Sequence, residues 1–184
     1  MVIMNHLPNS KLLEGSIPDD EYRDYYSKYI ELTTGLNLFD QLEVNRENLK
    51  IIFKGLQEEK ANYAYAEGKW TMKEVLGHIT DTERIFNYRA LALARGEKVS
   101  LPGYDHDQYA ENANFHDLPV EFLLNDYELV RNSTISLFRS FDDEQLMRRG
   151  IVNDSEFTVR SLGYVIAGHE LHHQQILREK YIGQ

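Results

Sequence analysis

The chain has 184 residues, of which 42% are hydrophobic, a size and composition typical of one globular domain with a substantial core. Its 30 acidic and 20 basic residues give a formal net charge of −10, which argues against a surface for nucleic-acid phosphates. The absence of cysteine excludes disulfides and thiolate metal ligands, and no apolar run is long enough for a signal peptide or a membrane span. We therefore expect a cytoplasmic protein that binds neither nucleic acid nor membrane.

Residues 1–36 are expected to form an N-terminal arm and a short helix that packs on the rest of the domain. Residues 1–17 show little periodicity, as chain termini often do. From Pro18 onwards, acidic residues precede a run of tyrosines at helical spacing, and Gly35 ends this piece. We interpret the tyrosine stripe as packing rather than recognition.

Residues 37–184 are predicted to form an all-α four-helix bundle, because apolar residues recur three and four apart along four long segments. A capping box of Thr71 and Glu74 starts the second helix, and Gly96 ends it. A long connection then allows two consecutive helices to run in the same direction. A charged loop, 142–157, precedes the last helix. The expected helices cover residues 38–60, 71–95, 119–141 and 158–181.

The last predicted helix carries two histidines, His169 and His173, on one face. Four residues apart, they lie about 6 Å apart along the helix axis, a spacing suited to binding one metal ion. His78 lies on the inward stripe of the second helix, at a matching height if the two helices pack antiparallel. These three histidines are our candidate metal ligands. His172 ranks second because it lies off the centre of the stripe.

Three neutral imidazoles with open coordination positions suit Zn²⁺ or Ni²⁺. Asp81 and Asp105 are weaker candidates for additional oxygen ligands. Each histidine alone could be a hydrogen-bonded core residue, but three of them on inward faces of two packed helices favour a metal. His6, His106 and His116 are interpreted as solvent-exposed or loop residues.

The segment from His169 to His173 also satisfies the HExxH pattern of zinc proteases, in which the glutamate is the general base. The usual third ligand follows that motif, but only eleven residues come after His173, with Glu179 as the one carboxylate side chain among them. The β-rich substrate shelf of such proteases is also missing. Peptidase activity is therefore disfavoured.

Several separated motifs resemble the DinB-like superfamily over residues 18–181, nearly the whole chain. They are Lys69-Trp70-Thr71, Leu76-Gly77-His78, Asp81-Thr82-Glu83-Arg84-Ile85-Phe86, Tyr88-Arg89, Leu101-Pro102-Gly103-Tyr104-Asp105, and Ala167-Gly168-His169-Glu170 with His172-His173. The resemblance implies a bundle with up-down-down-up topology and a divalent metal held by His78, His169 and His173. It also implies a homodimer.

The activity implied by this resemblance is broader than the fold, because the family includes bacillithiol S-transferases, mycothiol-dependent isomerases and metal-dependent hydrolases. Our main hypothesis is an enzyme that activates a low-molecular-weight thiol on the metal and transfers it to an electrophilic small molecule. Tyr104 and Asp105 would then shape the substrate pocket. Arg89 or Arg131 would hold a carboxylate of the thiol.

Two alternatives stay open. The first is hydrolysis by metal-activated water, which needs a proton acceptor near the ion; Glu170 and Asp81 are the candidates. The second is a metal-binding or stress-associated protein without catalysis, in which the ion mainly fixes the bundle. A closed site with four protein ligands would favour the structural role, and an open coordination position would favour catalysis.

Overall fold

The structure, a computed structural model, describes residues 10–33 and 35–183. The expectations for residues 1–9, including His6, lie outside the described residues. The α-helices are α1 (Ser27–Ile30), α2 (Leu38–Phe53), α3 (Glu58–Ala61), α4 (Met72–Ala94), α5 (His106–Asn112), α6 (Val120–Arg139), α7 (Asp143–Leu146) and α8 (Val159–Ile176). Strands β1 (Arg149–Val152) and β2 (Ser155–Thr158) form an antiparallel hairpin. Short 3₁₀ turns cover Lys11–Leu13, Asp19–Glu21, Asp24–Tyr26 and Phe115–Asp117, and a π-helical turn covers Leu177–Ile182.

The four long helices α2, α4, α6 and α8 form the bundle that the sequence predicts. Helices α4 and α6 run parallel, because Arg84 contacts Asp126 and, further along both helices, Asn87 contacts Thr134. The long connection between them, 95–119, makes this direction possible.

Helix α2 runs parallel to α8 and antiparallel to α6. Leu38 packs on Gly163 near the start of α8, and Asn45 donates a hydrogen bond of 2.8 Å to the Ala167 carbonyl further along both helices. Towards the end of α2, Lys50 pairs with Glu128 in the first half of α6. Since α8 also runs antiparallel to α4, the order along the chain is up-down-down-up, as the resemblance implies.

The predicted helix entries are confirmed. The Thr71 hydroxyl accepts from the Glu74 amide while the Glu74 carboxylate accepts from the Thr71 amide, the reciprocal pair of a capping box. Thr158 likewise accepts from the Ser161 amide at the start of α8. The predicted end of the first bundle helix is wrong by several residues: α2 ends at Phe53, before Gly55, whose φ is +73°.

Two connections expected to be loops contain regular structure. The crossover carries α5, and the segment before α8 carries α7 and the β1–β2 hairpin. The hairpin turns at Asn153 and Asp154, both with positive φ (48° and 58°), as a two-residue type I′ turn requires. The Asn153-Asp154 pair, which follows the β-branched Ile151 and Val152, was the sequence signal for this hairpin. The expectation of a plain loop over 142–157 is corrected accordingly.

The N-terminal segment packs along α8. Arg160 forms an ion pair with the buried Glu21, and the Tyr164 hydroxyl donates to the Leu13 carbonyl at 2.6 Å. Further along, Gly168 allows backbone-to-backbone contact, because a Cβ atom there would lie 2.0 Å from the Tyr29 carbonyl oxygen. This packing places Tyr29 of α1 against the middle of α8. The boundary at residue 36 stays a prediction.

Among the residues that the structure describes, no helix combines the length and the apolarity that a bilayer-spanning segment requires.

Candidate metal centre

Three imidazoles converge between α4 and α8. The His169 Nε2 atom lies 3.0 Å from His78 Nε2 and 3.1 Å from His173 Nε2. All candidate ligand atoms of the three residues lie within 4.8 Å of one another. The structure therefore brings together the three histidines that helical spacing singles out, and it leaves His172 outside the cluster.

The geometry fits a single divalent ion. Two nitrogens bound tetrahedrally at about 2.0–2.1 Å from one zinc ion are separated by roughly 3.3 Å. The two short Nε2–Nε2 distances are within a few tenths of an ångström of that value. Within the described ranges, no carboxylate joins the cluster, so these residues would fill three positions and leave at least one open.

Burial keeps the three rings neutral and ready to bind a cation through nitrogen lone pairs. Desolvation, with a smaller contribution from His106, lowers the pKa of His78 from 6.5 to about 3. Desolvation also lowers the pKa of His169 and His173 well below the ordinary value, and the neighbouring histidines add to the effect. Since a metal ligand must be unprotonated, the fold favours the binding form of all three.

Binding through Nε2 requires the proton of His78 to reside on Nδ1. The Thr82 hydroxyl lies 3.5 Å from that Nδ1 and 2.6 Å from the Tyr104 hydroxyl. A hydroxyl has one donor and two acceptor sites, so Thr82 accepts from His78 and exchanges a hydrogen bond with Tyr104. This chain fixes the tautomer and the orientation of the His78 ring.

The cluster lines one side of a cavity of about 400 Å³. Its walls come from the N-terminal segment, α4, the crossover, the hairpin turn and α8. The lining residues are Arg23, Tyr25, Tyr26, Tyr29, Trp70, His78, Thr82, Phe86, Arg89, Gly103, Tyr104, His106, Asn153, Val165, His169, His172 and His173. Of the residues expected to shape a substrate pocket, Arg89 and Tyr104 are in this wall.

Glu170 and Arg131 do not line the cavity, which corrects the roles expected for them. Glu170 is 1% exposed and points between α8, α2 and α6, where it accepts hydrogen bonds from Tyr127 at 2.7 Å and Arg131 at 2.5 Å. The Arg131 guanidinium, fully buried, also pairs with Glu83 at 2.7 Å. Because these partners occupy both side chains, neither is placed to act on a molecule in the cavity. The same placement removes the general base that the HExxH pattern would require.

The two candidate aspartates also lie outside the cavity. Asp81 forms an ion pair with Arg84 at 3.2 Å on the outer side of α4. Asp105 caps α5, accepting from the amides of Asp107 and Gln108 at 3.1 Å. The expectations that Asp81 accepts a proton at the ion and that Asp105 shapes the pocket are therefore corrected, as is the idea that either supplies an oxygen ligand.

Other lining residues were not predicted from the sequence. The Trp70 ring packs against His78 with 4.7 Å between centroids, and the His106 ring lies 5.7 Å from that of His78. His106, interpreted as a solvent-exposed or loop residue, is exposed and also lines the cavity. Tyr29, whose ring lies 5.6 Å from that of His169, belongs to a stripe interpreted as packing only. The sequence gives no sign that this stripe lines a cavity, because the cavity wall forms from segments that meet only in the folded chain.

The sequence profile of the DinB superfamily matches residues 41–177, which include the three clustered histidines, most of α2 and all of α4, α6 and α8. The chain belongs to the DinB superfamily. This agrees with the resemblance seen in the separated motifs of α4, the crossover and α8.

Relatives within the superfamily carry names that refer to metal-dependent hydrolysis. The chain is 28% identical over 135 residues to a "Putative metal-dependent hydrolase" of Oceanobacillus iheyensis, covering 72% of this chain and 77% of that protein. A second protein of that organism with the same name is 26% identical over 93 residues, covering 50% of this chain and 54% of its own length. A "Putative metal-dependent hydrolase" of Geobacillus thermodenitrificans is 26% identical over 73 residues, or 40% and 41% of the two chains.

One solved structure shares the architecture. YfiT from Bacillus subtilis, described as "a probable metal-dependent hydrolase with an unusual four-helix bundle topology", superposes with a TM-score of 0.71 at 19% identity. The match covers 92% of this chain and 95% of that one. It supports the DinB-type bundle, including the short helices that precede it.

Proposed function

We propose that this DinB-superfamily protein is a metal-dependent hydrolase that acts on a small molecule in the cavity beside His78, His169 and His173. The observation that carries the proposal is the convergence of three imidazole nitrogens on one side of that cavity. The names of the relatives favour this alternative over thiol transfer, our main hypothesis from the sequence.

A divalent ion such as Zn²⁺ or Ni²⁺ would supply Lewis acidity, lowering the pKa of water and polarising the bond to be cleaved. The chain itself supplies three neutral ligands and side chains that orient the substrate. Among the described residues, no aspartate or glutamate lines the cavity, so its proton-exchanging groups are histidines and tyrosines. In ester hydrolysis the acyl C–O bond breaks, a C–O bond to water oxygen forms, and one water proton ends on the leaving group.

Three protein ligands argue against a purely structural ion, because structural zinc sites usually have four. Thiol transfer uses the same open position and differs in the nucleophile, so both activities can be tested on one preparation. A small-molecule partner fits the cavity volume. The homodimer stays a prediction.

The test compares the wild-type protein with His78→Ala and with the matched control His116→Ala, whose ring is exposed and outside the cluster. We expect about one zinc or nickel ion per wild-type or control chain after metal loading, and far less in His78→Ala. We also expect 4-nitrophenyl acetate hydrolysis that disappears on chelation and returns on metal addition.

Unchanged metal content in His78→Ala would remove that residue from the site. Metal binding with no metal-dependent hydrolysis, but with transfer of a thiol to a chromogenic electrophile, would favour the transferase hypothesis over the hydrolase. Metal binding with neither activity would favour the non-catalytic alternative.

A further inference from the structure

The cavity beside the three histidines carries positive charge in a strongly acidic protein. Although the chain has 30 acidic and 20 basic residues, the part of the cavity wall that the structure describes includes Arg23 and Arg89 and no aspartate or glutamate. A bound divalent ion would add two further positive charges. The wall is therefore electrostatically suited to an anion.

Arg89 is the central residue of this feature. It is 3% exposed, and its guanidinium packs over the Phe86 ring at 4.8 Å and near the Tyr104 ring at 5.8 Å. Its one hydrogen bond goes to the Pro102 carbonyl, at 2.9 Å. A guanidinium has five N–H donors, so several remain available on the cavity side.

The lack of a carboxylate partner distinguishes Arg89 from the other buried basic residues. Lys73 contacts Glu58 at 2.5 Å, and Arg131 contacts two glutamates. Within residues 10–33 and 35–183, Arg89 forms no ion pair; its titratable neighbours are the neutral hydroxyls of Tyr26 and Tyr104. Burying a cation without a counter-ion is costly, so an unpaired arginine at a cavity wall points to an anionic ligand.

Arg23 extends this positive surface to the mouth of the cavity. It is exposed, with one long contact of 3.5 Å to the Ser155 hydroxyl, and its charge acts on the same Tyr26 hydroxyl as that of Arg89. Both arginines line the cavity, Arg89 buried and Arg23 exposed.

The spacing along α4 sets the size of the ligand. Arg89 follows His78 by eleven residues, an axial rise of about 16 Å, and both side chains lean towards the helix N-terminus, so their functional groups stay roughly three helical turns apart along α4. An elongated small molecule can therefore reach both sites at once.

We propose that Arg89, assisted by Arg23, binds an anionic group of the substrate, a carboxylate or a phosphate, while the bond to be cleaved lies at the three histidines. This inference rests on the proposed function in treating the cavity as the substrate site. It narrows the substrate class to elongated anionic small molecules.

The binding test uses the metal-free protein, so that no ion competes for the anion. Trp70 is the one tryptophan of the chain and lines the cavity, so its fluorescence reports occupancy. The probes are hexanoate, hexyl phosphate and the neutral methyl hexanoate. We expect at least one anion to bind at least tenfold more tightly than the neutral ester, and the tighter anion identifies the chemical source.

The variants separate anion binding from folding. Arg89→Met keeps the volume and should weaken anion binding by at least tenfold while leaving methyl hexanoate unchanged. Arg89→Lys keeps the charge without the planar fork and should show an intermediate loss. Arg95→Met is the matched control: it lies at the end of the same helix, also over an aromatic ring, but outside the cavity, and should bind like wild type.

Three results would each overturn the inference. They are equal binding of the anions and the neutral ester, no anion binding at millimolar concentration, and an anion affinity that is unchanged in both Arg89 variants. If Arg89→Met fails to fold, Arg89→Lys and the comparison of charged with neutral probe decide the question. Because these titrations need neither metal nor turnover, they can fail while metal-dependent hydrolysis of 4-nitrophenyl acetate succeeds, and the reverse also holds.

Discussion

Replacement of Glu170 by glutamine separates a buried structural carboxylate from a general base. Glu170 lies between two of the clustered histidines in sequence and matches the glutamate of an HExxH motif. In the structure, however, its two oxygens accept from Tyr127, Arg131 and Gln174, at 2.7, 2.5 and 2.9 Å. We therefore expect Glu170→Gln to affect stability and to leave the chemistry nearly intact.

The size of the effect follows from these contacts. The amide keeps the shape and one acceptor oxygen, so one charge-assisted bond to Arg131 is lost, worth about 1.5–3 kcal/mol. Glu83 still compensates the Arg131 charge, with contacts of 2.8 and 2.7 Å, which limits the loss. A net destabilisation of about 1–3 kcal/mol lowers Tm by roughly 2–12 °C for a chain of this size.

Arg131→Met is the informative companion variant. It removes the one cation between Glu83 and Glu170 and leaves two buried carboxylates facing each other. Breaking a buried pair from one side costs about 3–5 kcal/mol, or roughly 6–20 °C in Tm. The expected order of stability is therefore wild type, then Glu170→Gln, then Arg131→Met.

The assays are thermal unfolding, metal content and 4-nitrophenyl acetate hydrolysis, the latter two measured well below Tm. Metal content should match wild type and the hydrolysis rate should stay within about threefold, whereas loss of a general base typically costs about 10²–10⁴-fold. A Glu170→Gln protein with unchanged Tm and a rate reduced a hundredfold or more would refute the structural role assigned to Glu170.

Three further changes test the centre and its surroundings. Thr82→Val removes the hydroxyl beside His78 Nδ1 and should weaken metal binding by about 10–100-fold, measured by competition with a chromogenic chelator; Thr80→Val, whose hydroxyl bonds only the Leu76 carbonyl, should not. Gly168→Ala places a methyl group against the Tyr29 carbonyl and should cost about 1–3 kcal/mol or more in urea unfolding, and wild-type stability would contradict that contact. In the metal-free protein, the His78 pKa of about 3 lies below the unfolded value of 6.5, so stability is full above pH 6.5 and falls by about 1.4 kcal/mol per pH unit towards pH 3. Denaturation of His78→Gln should show a shallower acid slope, and an equal slope would contradict the assignment.

The helices and the histidine cluster could be predicted because both depend on local periodicity. The spacing of His169 and His173 fixes their shared face, and the entries at Thr71 and Thr158 fix the helix starts from which the height of His78 follows. The long crossover lets α4 and α6 run parallel, which leaves α4 antiparallel to α8. Each of these steps uses a regular rise and turn, which the sequence specifies well.

The rest of the wall depends on contacts distant in sequence, which no periodic pattern encodes. Trp70 precedes α4, where its position predicts a hydrophobic staple, yet its ring packs on His78. Glu170 follows His169 directly, but one residue rotates a side chain by about 100° around a helix axis, enough to turn it from the cavity to α6. The sequence pattern places Trp70 and Glu170 near the inward faces of their helices. It does not distinguish a position at the cavity from one against α6.

The cavity is lined both by residues inside the region that matches the DinB superfamily and by residues that precede it. The three histidines and Arg89 lie within the matched region, residues 41–177, whereas Arg23, Tyr26 and Tyr29 precede it. Tyr29 packs close to the histidine cluster because Gly168, which has no side chain, allows the α1 backbone to contact α8. The proposed metal ligands and Arg89 thus belong to the shared bundle, while Arg23, Tyr26 and Tyr29 of the cavity wall come from a separate segment. A relative with another N-terminal segment would keep the ion and take a different substrate, which is the expected outcome if Arg23 and Tyr26 contribute to specificity rather than to the metal.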